Sequence, residues 1–341
     1  MTANPGFSRS AVTSLWSRFR LWLCLIMLWS TVACKEVPIP SAGIPAAAAT
    51  VAAREEATAG KDLAPDSPLP HIDAKRAFAY TREVTAFGPR YMGSENHKKL
   101  ERYILDHLKG DQIEEDAFTA DTVEGKFPVR NIIAKFPGKK DGIIAILGHY
   151  ETNYPLRTTG YVGANDGGTS TAILLEFADQ LQGKPRDGYS VWLVWTDGEE
   201  AVKSWSSTDS LYGTRHLAEK WEKDGTLKKI KALMVMDMIG AQDVNILHDS
   251  NSTPWLLDLI RTAAEHGGYQ SHFYALQAGE EDDHIPFVKR GVPCADVIGV
   301  PYGYNDVFHH TPQDTMDKLS PKSLEIVGNT ILETIRLLDQ R

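Results

Sequence analysis

The stretch Trp195-Thr-Asp-Gly-Glu-Glu200 decides how the rest of the chain is read. An apolar run, Val191 to Trp195, stops abruptly at two adjacent carboxylates, which is how a buried strand delivers acid groups to the edge of a sheet. Two glutamates side by side can split labour, one binding a metal and the other moving protons. A Glu-Glu pair alone is a common surface feature, and its company is what gives it weight. Asp166 in Gly163-Ala-Asn-Asp-Gly-Gly168 and His310 in Phe308-His-His-Thr311 also follow apolar, strand-like segments. One Asp, one Glu and one His, with a water or substrate in the fourth position, make a plausible open zinc site.

Working outward, short apolar runs alternate with helical periods. Ile143–Leu147, Val191–Trp195, Ala232–Met236 and Ala295–Val300 read as strands, with Gln112–Phe118 and Asn131–Phe136 as weaker neighbours. The first three lack polar alternation, so both of their faces are expected to be buried, as in a largely parallel sheet. Ala74, Ala77, Phe78, Val84 and Phe87 mark an amphipathic helix closed by Gly88-Pro89, and Leu100, Tyr103, Ile104 and Leu108 mark a second. Thr169–Leu181, Asp209–Trp221, Pro254–His266 and Ser320–Leu338 read as further helices, the last with Ser320 as cap and Pro321 in the first helical position. The expected fold is α/β, a three-layer sandwich with a mostly parallel central sheet and helices on both faces. Ligands of such sheets bind beyond the carboxyl ends of the strands. His149, Glu199, Glu200, Asp237, His309 and His310 all fall at or after such ends.

The chain has 341 residues, 42% apolar and 24% charged, with a net charge of −9. That balance, and the lack of a long basic patch, argue against nucleic acid as a partner. At the N-terminus Arg9, Arg18 and Arg20 precede an apolar run, Leu21–Trp29, too short for a comfortable membrane span. It ends in Ser30-Thr-Val-Ala-Cys34, which is similar to a bacterial lipoprotein cleavage site, with Thr31 where Leu is usual. Residues 1–34 are therefore expected to be an export signal, with a lipid anchor at Cys34 as its lipoprotein form and a plain signal or uncleaved anchor as alternatives. Residues 35–70, rich in Ala, Pro, Gly and Ser, read as a flexible tether, and 71–341 as the catalytic domain. The expected location is periplasmic or extracellular. Cys294, alone in the mature body, is expected to be a buried small hydrophobe.

Several candidates have a bland reading beside the chemical one. Asp166 just before a helix could be a cap, although the flanking glycines favour a metal ligand. His310 has His309 as a competitor. Asp237 needs a metal or hydrogen-bonding partner, because an unpaired buried charge is costly. Glu281-Asp282-Asp283-His284 could be an acidic loop capping a short helix, or a group whose crowding suits a proton shuttle. Trp205 would ordinarily be core or interface. No Gly-x-Ser-x-Gly elbow or phosphate-binding loop is present in the sequence.

Gly163-Ala-Asn-Asp166, Asp197-Gly-Glu-Glu-Ala201, Met236-Asp-Met-Ile-Gly240 and His310-Thr-Pro-Gln-Asp314 resemble the zinc aminopeptidase and glutaminyl cyclase superfamily over residues 71–341. Glu199-Glu-Ala with Trp205, Asp209-Ser-Leu-Tyr-Gly-Thr-Arg-His-Leu-Ala218, Asp237-Met-Ile-Gly-Ala241, Asp282-Asp-His-Ile-Pro-Phe287 and Arg290-Gly-Val-Pro293 resemble the glutaminyl cyclase branch in particular. The resemblance implies one zinc on Asp166, Glu200 and His310, with Glu199 as general acid/base. Asp237 and Asp282 would hold Glu199 in a hydrogen-bonded acidic network, and Trp205 would wall the substrate pocket. It implies cyclisation of an N-terminal glutamine to pyroglutamate with loss of ammonia, on peptide or protein N-termini. Three positions depart from the family pattern. His309 stands in place of a pocket Trp, Asp296 in place of a pocket His, and Glu151 in place of Asp after His149-Tyr150. A secreted aminopeptidase with a second zinc on His149 and Asp237, bridged by Asp166, is the runner-up. A non-catalytic binding lipoprotein ranks last.

Overall fold

The computed structural model describes residues 68–341. The expected signal, the Cys34 anchor and nearly all of the tether lie outside the described residues. Two helices come first. Helix α1 (Ala74–Ala86) is capped by Asp73, whose side chain accepts from the amides of Lys75 and Arg76. Helix α2 (Glu95–His107) is capped in the same way by Ser94 on the His97 amide.

Then come strands β1 (Gln112–Thr122), β2 (Gly125–Phe136) and β3 (Gly138–His149), helix α3 (Gly168–Leu181), strand β4 (Arg186–Thr196) and helix α4 (Tyr212–Lys223). They are followed by β5 (Ile230–Asp237), β6 (Ile246–Asp249), α5 (Pro254–His266), β7 (Phe273–Ala278), the single turn α6 (Ile285–Val288), β8 (Cys294–Ile298) and α7 (Pro321–Asp339). The main sheet runs β1-β2-β4-β3-β5-β8. Strands β4, β3, β5 and β8 are mutually parallel, and the β1–β2 hairpin adds antiparallel to β4.

Alternate residues of the central strands feed two cores, as the pleat requires. Ile144 and Ile146 of β3, Leu193 of β4 and Met234 of β5 pack with Val84, Leu174, Ile260 and Ile331 from α1, α3, α5 and α7. Ala145 and Leu147 of β3, Val194 of β4 and Leu233 of β5 face the other way, onto Leu217 and Trp221 of α4 and Phe287 of α6. This is the three-layer sandwich expected from the sequence. Cys294 is free and buried at the start of β8. Ser320 caps α7 through the Lys322 amide, and Pro321 occupies its first turn.

The differences are local. Helix α4 starts at Tyr212, three residues later than the period indicates, because Asp209 turns back to accept from the amides of Val202, Lys203 and Ser204. Strand β8 ends at Ile298, two residues short of Val300. The β1–β2 hairpin is longer than its apolar runs, since its outer half is exposed on one face and buries only spaced side chains, Ala120 and Val129, against Met92, Val202 and Tyr212. The small parallel pair β6–β7 has no counterpart in the sequence reading.

Candidate active site

Four parallel strands end side by side. Strand β3 ends at His149, β4 at Thr196 and β5 at Asp237, while β8 leads into the segment that carries His309 and His310. The turn after Thr196 presents Glu199 and Glu200, both buried. Their side chains go to different neighbours. Glu200 Oε1 lies 3.1 Å from His310 Nε2, and its Oε2 accepts from Asn153 Nδ2 at 2.7 Å. Glu199 groups with His149 and Glu151, their ligating atoms all within 4.8 Å of one another.

Asp166 does not cap α3. The cap position is Gly167, with no side-chain hydrogen bond. Asp166 Oδ2 instead lies 3.3 Å from His310 Nε2 and accepts from the Tyr161 hydroxyl, and its Oδ1 lies 3.0 Å from His149 Nε2. The glycine after it is required by the local packing. Gly167 has φ +72°, and a Cβ there would stand 2.6 Å from the Glu151 carbonyl oxygen and 3.0 Å from the His149 ring. Arg90, fully buried, donates to the carbonyls of Tyr150, Val162, Gly163 and Asp166, tying the two loops that flank Asp166. Asp314 accepts from the amides of Asn165 and Asp166 at 2.8 and 3.1 Å.

His310 sits in the left-handed backbone region at φ 49°, a strained conformation held by its surroundings. His309 lies beside it, the rings tilted at 45° with centroids 4.1 Å apart, but its Nδ1 is paired with Asp306 Oδ2 at 3.0 Å. Three donors in a tetrahedral zinc shell of about 2.0–2.1 Å radius stand about 3.3 Å apart. His310 Nε2 has nearly that spacing to both Asp166 and Glu200, and a set of two carboxylates and an imidazole suits zinc, whereas the donor atoms that already lie within 4.8 Å of one another around His310 are those of Asp166, His309 and His310. His149 Nε2 also lies 3.2 Å from Asp237 Oδ1, so His149, Asp166 and Asp237 form a second grouping. The buried Nδ1 of His149 has no hydrogen-bond partner. A metal-bound histidine almost always has one.

Electrostatics separate the carboxylates. Burial works to raise Asp166, but hydrogen bonding to His149 and His310 outweighs it and holds the group well below the usual range. Glu199 is pushed well above that range, first by burial, with the charges of Glu200, Asp282 and Asp283 adding to it and His149 opposing. Asp282 is raised likewise, by burial and then by Asp237 and Asp283. Asp283 accepts from Thr196 Oγ1 at 2.5 Å and Thr214 Oγ1 at 2.6 Å, so both of its oxygens are engaged, whereas the buried Oδ2 of Asp282 has no hydrogen-bond partner. Trp205 is 39% exposed, its indole Nε1 3.4 Å from Glu281 Oε2, beside the segment that carries Asp282.

Every site residue expected from the sequence thus lies at this one end of the sheet or on its rim. Asn153, Tyr161 and Arg90 were not anticipated. Arg90 and Tyr161 have no strand-end position to mark them, and Asn153, though it follows β3 and Glu151, is an amide with no acid–base chemistry to draw notice, whereas Asp314 was present in the string that begins at His310.

The profile of peptidase family M28 matches residues 131–335. The chain belongs to that family. It is 32% identical over 253 residues to the glutaminyl-peptide cyclotransferase of Drosophila melanogaster, covering 66% of this chain and 70% of that one. It is 30% identical to a glutaminyl-peptide cyclotransferase-like protein of Bos taurus, over 69% and 68% of the two chains. The fold is also similar to the crystal structure of an Acidobacteriales bacterium glutaminyl cyclase, with TM-score 0.79 and 51% identity, covering 83% of this chain and all of that one. Within the M28 family the protein falls in the glutaminyl cyclase branch.

Proposed function

We infer that the protein is a glutaminyl-peptide cyclotransferase that converts an N-terminal glutamine to pyroglutamate. The observation that carries this reading is the divergence of the two adjacent glutamates, Glu200 toward His310, which also faces Asp166, and Glu199 into a buried acidic surrounding that raises its proton affinity. Asp166, Glu200 and His310 would hold one zinc ion, which supplies Lewis-acid polarisation of the glutamine side-chain carbonyl. Glu199 takes a proton from the attacking α-amine. The amine nitrogen bonds to the side-chain carbonyl carbon, the carbon–nitrogen bond of the amide breaks, and Glu199 returns the proton to the departing nitrogen. Ammonia leaves, and no external water is consumed. A carboxyl poised well above its usual range suits both halves of that transfer. Asp282 and Asp237 set the charge around Glu199, and Trp205 walls the approach.

The second reading, a di-zinc aminopeptidase, is favoured by the grouping of His149, Asp166 and Asp237. Elemental analysis with two assays decides between them. A cyclase carries one zinc per chain and turns over a Gln-initiated peptide. A peptidase carries two and releases Leu from an aminoacyl reporter.

We also propose export, with lipidation at Cys34. Cys34→Ser should then move the protein from the membrane to the soluble fraction, and unchanged fractionation would sink the idea.

A further inference from the structure

Asn153 follows β3 and is buried, yet its side chain bonds to nothing that holds the fold. Among the described residues its Nδ2 meets only Glu200 Oε2, at 2.7 Å, and His310 Nε2, at 3.5 Å, and its Oδ1 has no hydrogen-bond partner. Asn165, close by, shows what a buried asparagine does when it serves the fold. Its Nδ2 donates to the Met238 carbonyl at 3.1 Å and its Oδ1 accepts from the Gly240 amide at 2.8 Å. Burying an amide without such partners is unfavourable. The two groups that Asn153 does meet both belong to the set Asp166, Glu200 and His310. Its direction follows from the nearer one. A carboxylate ready to bind a metal is ionised and can only accept, so Nδ2 and not Oδ1 faces Glu200. The contact to His310 is too long to hold the ring, so zinc can take the Nε2 lone pair without breaking a firm bond.

The backbone that carries Asn153 is fixed independently. The Tyr150 amide donates to the Thr196 carbonyl at the end of β4, at 3.2 Å. Arg90 Nε donates to the Tyr150 carbonyl at 2.8 Å, and Thr152 Oγ1 accepts from the Arg90 amide at 3.0 Å. From this platform the segment grips Glu200 at two points. Glu151 Oε1 accepts from the Glu200 amide at 3.1 Å, and Asn153 engages Oε2. Oε1 is the oxygen left to face His310 Nε2, at 3.1 Å.

We propose that Asn153 is a positioning residue for the metal: it occupies Oε2 of Glu200, so that Glu200 offers zinc Oε1 alone. Partners that orient a ligating carboxylate in this way set both affinity and geometry. A carboxylate free to turn could bind through both oxygens and crowd the fourth position, which an open zinc site keeps for substrate. The proposal rests on the zinc ligand set of the cyclase reading.

A crystal structure of the zinc-loaded full chain tests it directly. Glu200 should bind the metal through Oε1, with Asn153 Nδ2 still within hydrogen-bond distance of Oε2. Glu200 bound through both oxygens, or Asn153 turned away, would overturn the proposal and leave the ligand set intact. Zinc bound without Glu200 would refute the ligand set, and the proposal with it. Zinc affinity, read by competition with a chromophoric chelator, tests the consequence apart from turnover. Asn153→Leu removes the donor at similar size and should weaken zinc binding about tenfold to a hundredfold. In a Glu200→Ala background the same change should make no further difference, because a residue that acts through Glu200 then has nothing to act on. Unchanged affinity in the single variant would overturn the proposal. So would the same loss in both backgrounds, which a purely structural role predicts. If Asn153→Leu fails to fold, the zinc-loaded wild-type structure still decides.

Discussion

Glu199 and Glu200 show how far one peptide bond can separate two identical side chains. Glu200 has a histidine and an amide to meet it, while Glu199 has burial and other acids around it. Glu199→Gln keeps the shape but cannot accept a proton. It should retain zinc and fold while turnover on a Gln-initiated peptide falls at least about a hundredfold. Glu200→Gln should instead lose zinc by elemental analysis. A Glu199→Gln protein that stays fully active would remove Glu199 from the mechanism. A stability effect of opposite sense should accompany the loss of activity. A carboxyl raised in the folded state binds protons more tightly there than in the unfolded chain, so its contribution to stability falls as pH rises above the unfolded value. Metal-free Glu199→Gln protein should therefore melt higher than metal-free wild type at pH 8, since each tenfold gain in proton affinity on folding costs the ionised form about 1.4 kcal/mol. The gap should close toward pH 4. Calorimetry across that range checks it. At this scale the sequence was legible where chemistry sits at a strand end: His149, Glu199, Glu200 and Asp237. It was silent on Asn153 and Tyr161, because an amide or a phenol in a loop has the same local pattern whether or not it touches a carboxylate.

The elements that carry these residues are fixed by packing at close quarters. Gly213 lies in the first turn of α4, where Ala would ordinarily be the better helix former by about 1 kcal/mol. Here a Cβ would stand 2.1 Å from the Asp197 carbonyl oxygen and 2.4 Å from Asn131 Oδ1. Those atoms are backbone and a side chain engaged at 3.1 Å with the Asp197 amide, so they have little room to yield. Gly213→Ala should thus reverse the helix preference, destabilising by about 1–3 kcal/mol as overpacking does. It should also disturb the turn from Asp197 to Glu200. Thermal melting and zinc content report the two effects. The central strands were readable because both of their faces are apolar, and the helix α7 because its cap and proline are local signals. The pair β6–β7 was not, since β7 exposes most of its side chains and has no apolar period to display. The late start of α4 was hidden for another reason. Asp209 looks like an ordinary helix opener until its three amide partners, all N-terminal to it, are seen.

At the scale of the whole molecule, the N-terminal edge of the described structure is anchored by specific bonds. The Ile72 amide donates to Asn329 Oδ1 of α7, the Asp73 amide to Glu176 of α3, and Arg76 pairs with the same buried Glu176 at 2.6 Å. A chain that starts at Pro68 should keep the melting temperature and kcat of the longer protein. One that starts after α1 should lose cooperative unfolding, because Glu176 would be left as a buried charge without its partner. Far-UV circular dichroism on heating distinguishes the two. The three-layer order was legible in the sequence, whereas the convergence of residues 149, 166, 200, 237 and 310 was legible only as a repeated position at strand ends. That wide separation has a consequence for how the protein matures. Asp166, Glu200 and His310 are supplied by segments after β3, β4 and β8, so no early portion of the chain contains a complete zinc cradle. Such non-local pairings form late and slowly. On the proposed ligand set, metal capture would be a completion signal: nascent or partly folded chains should take up zinc weakly, and time-resolved uptake during refolding should lag the gain of helix and coincide with docking of the last parallel strand.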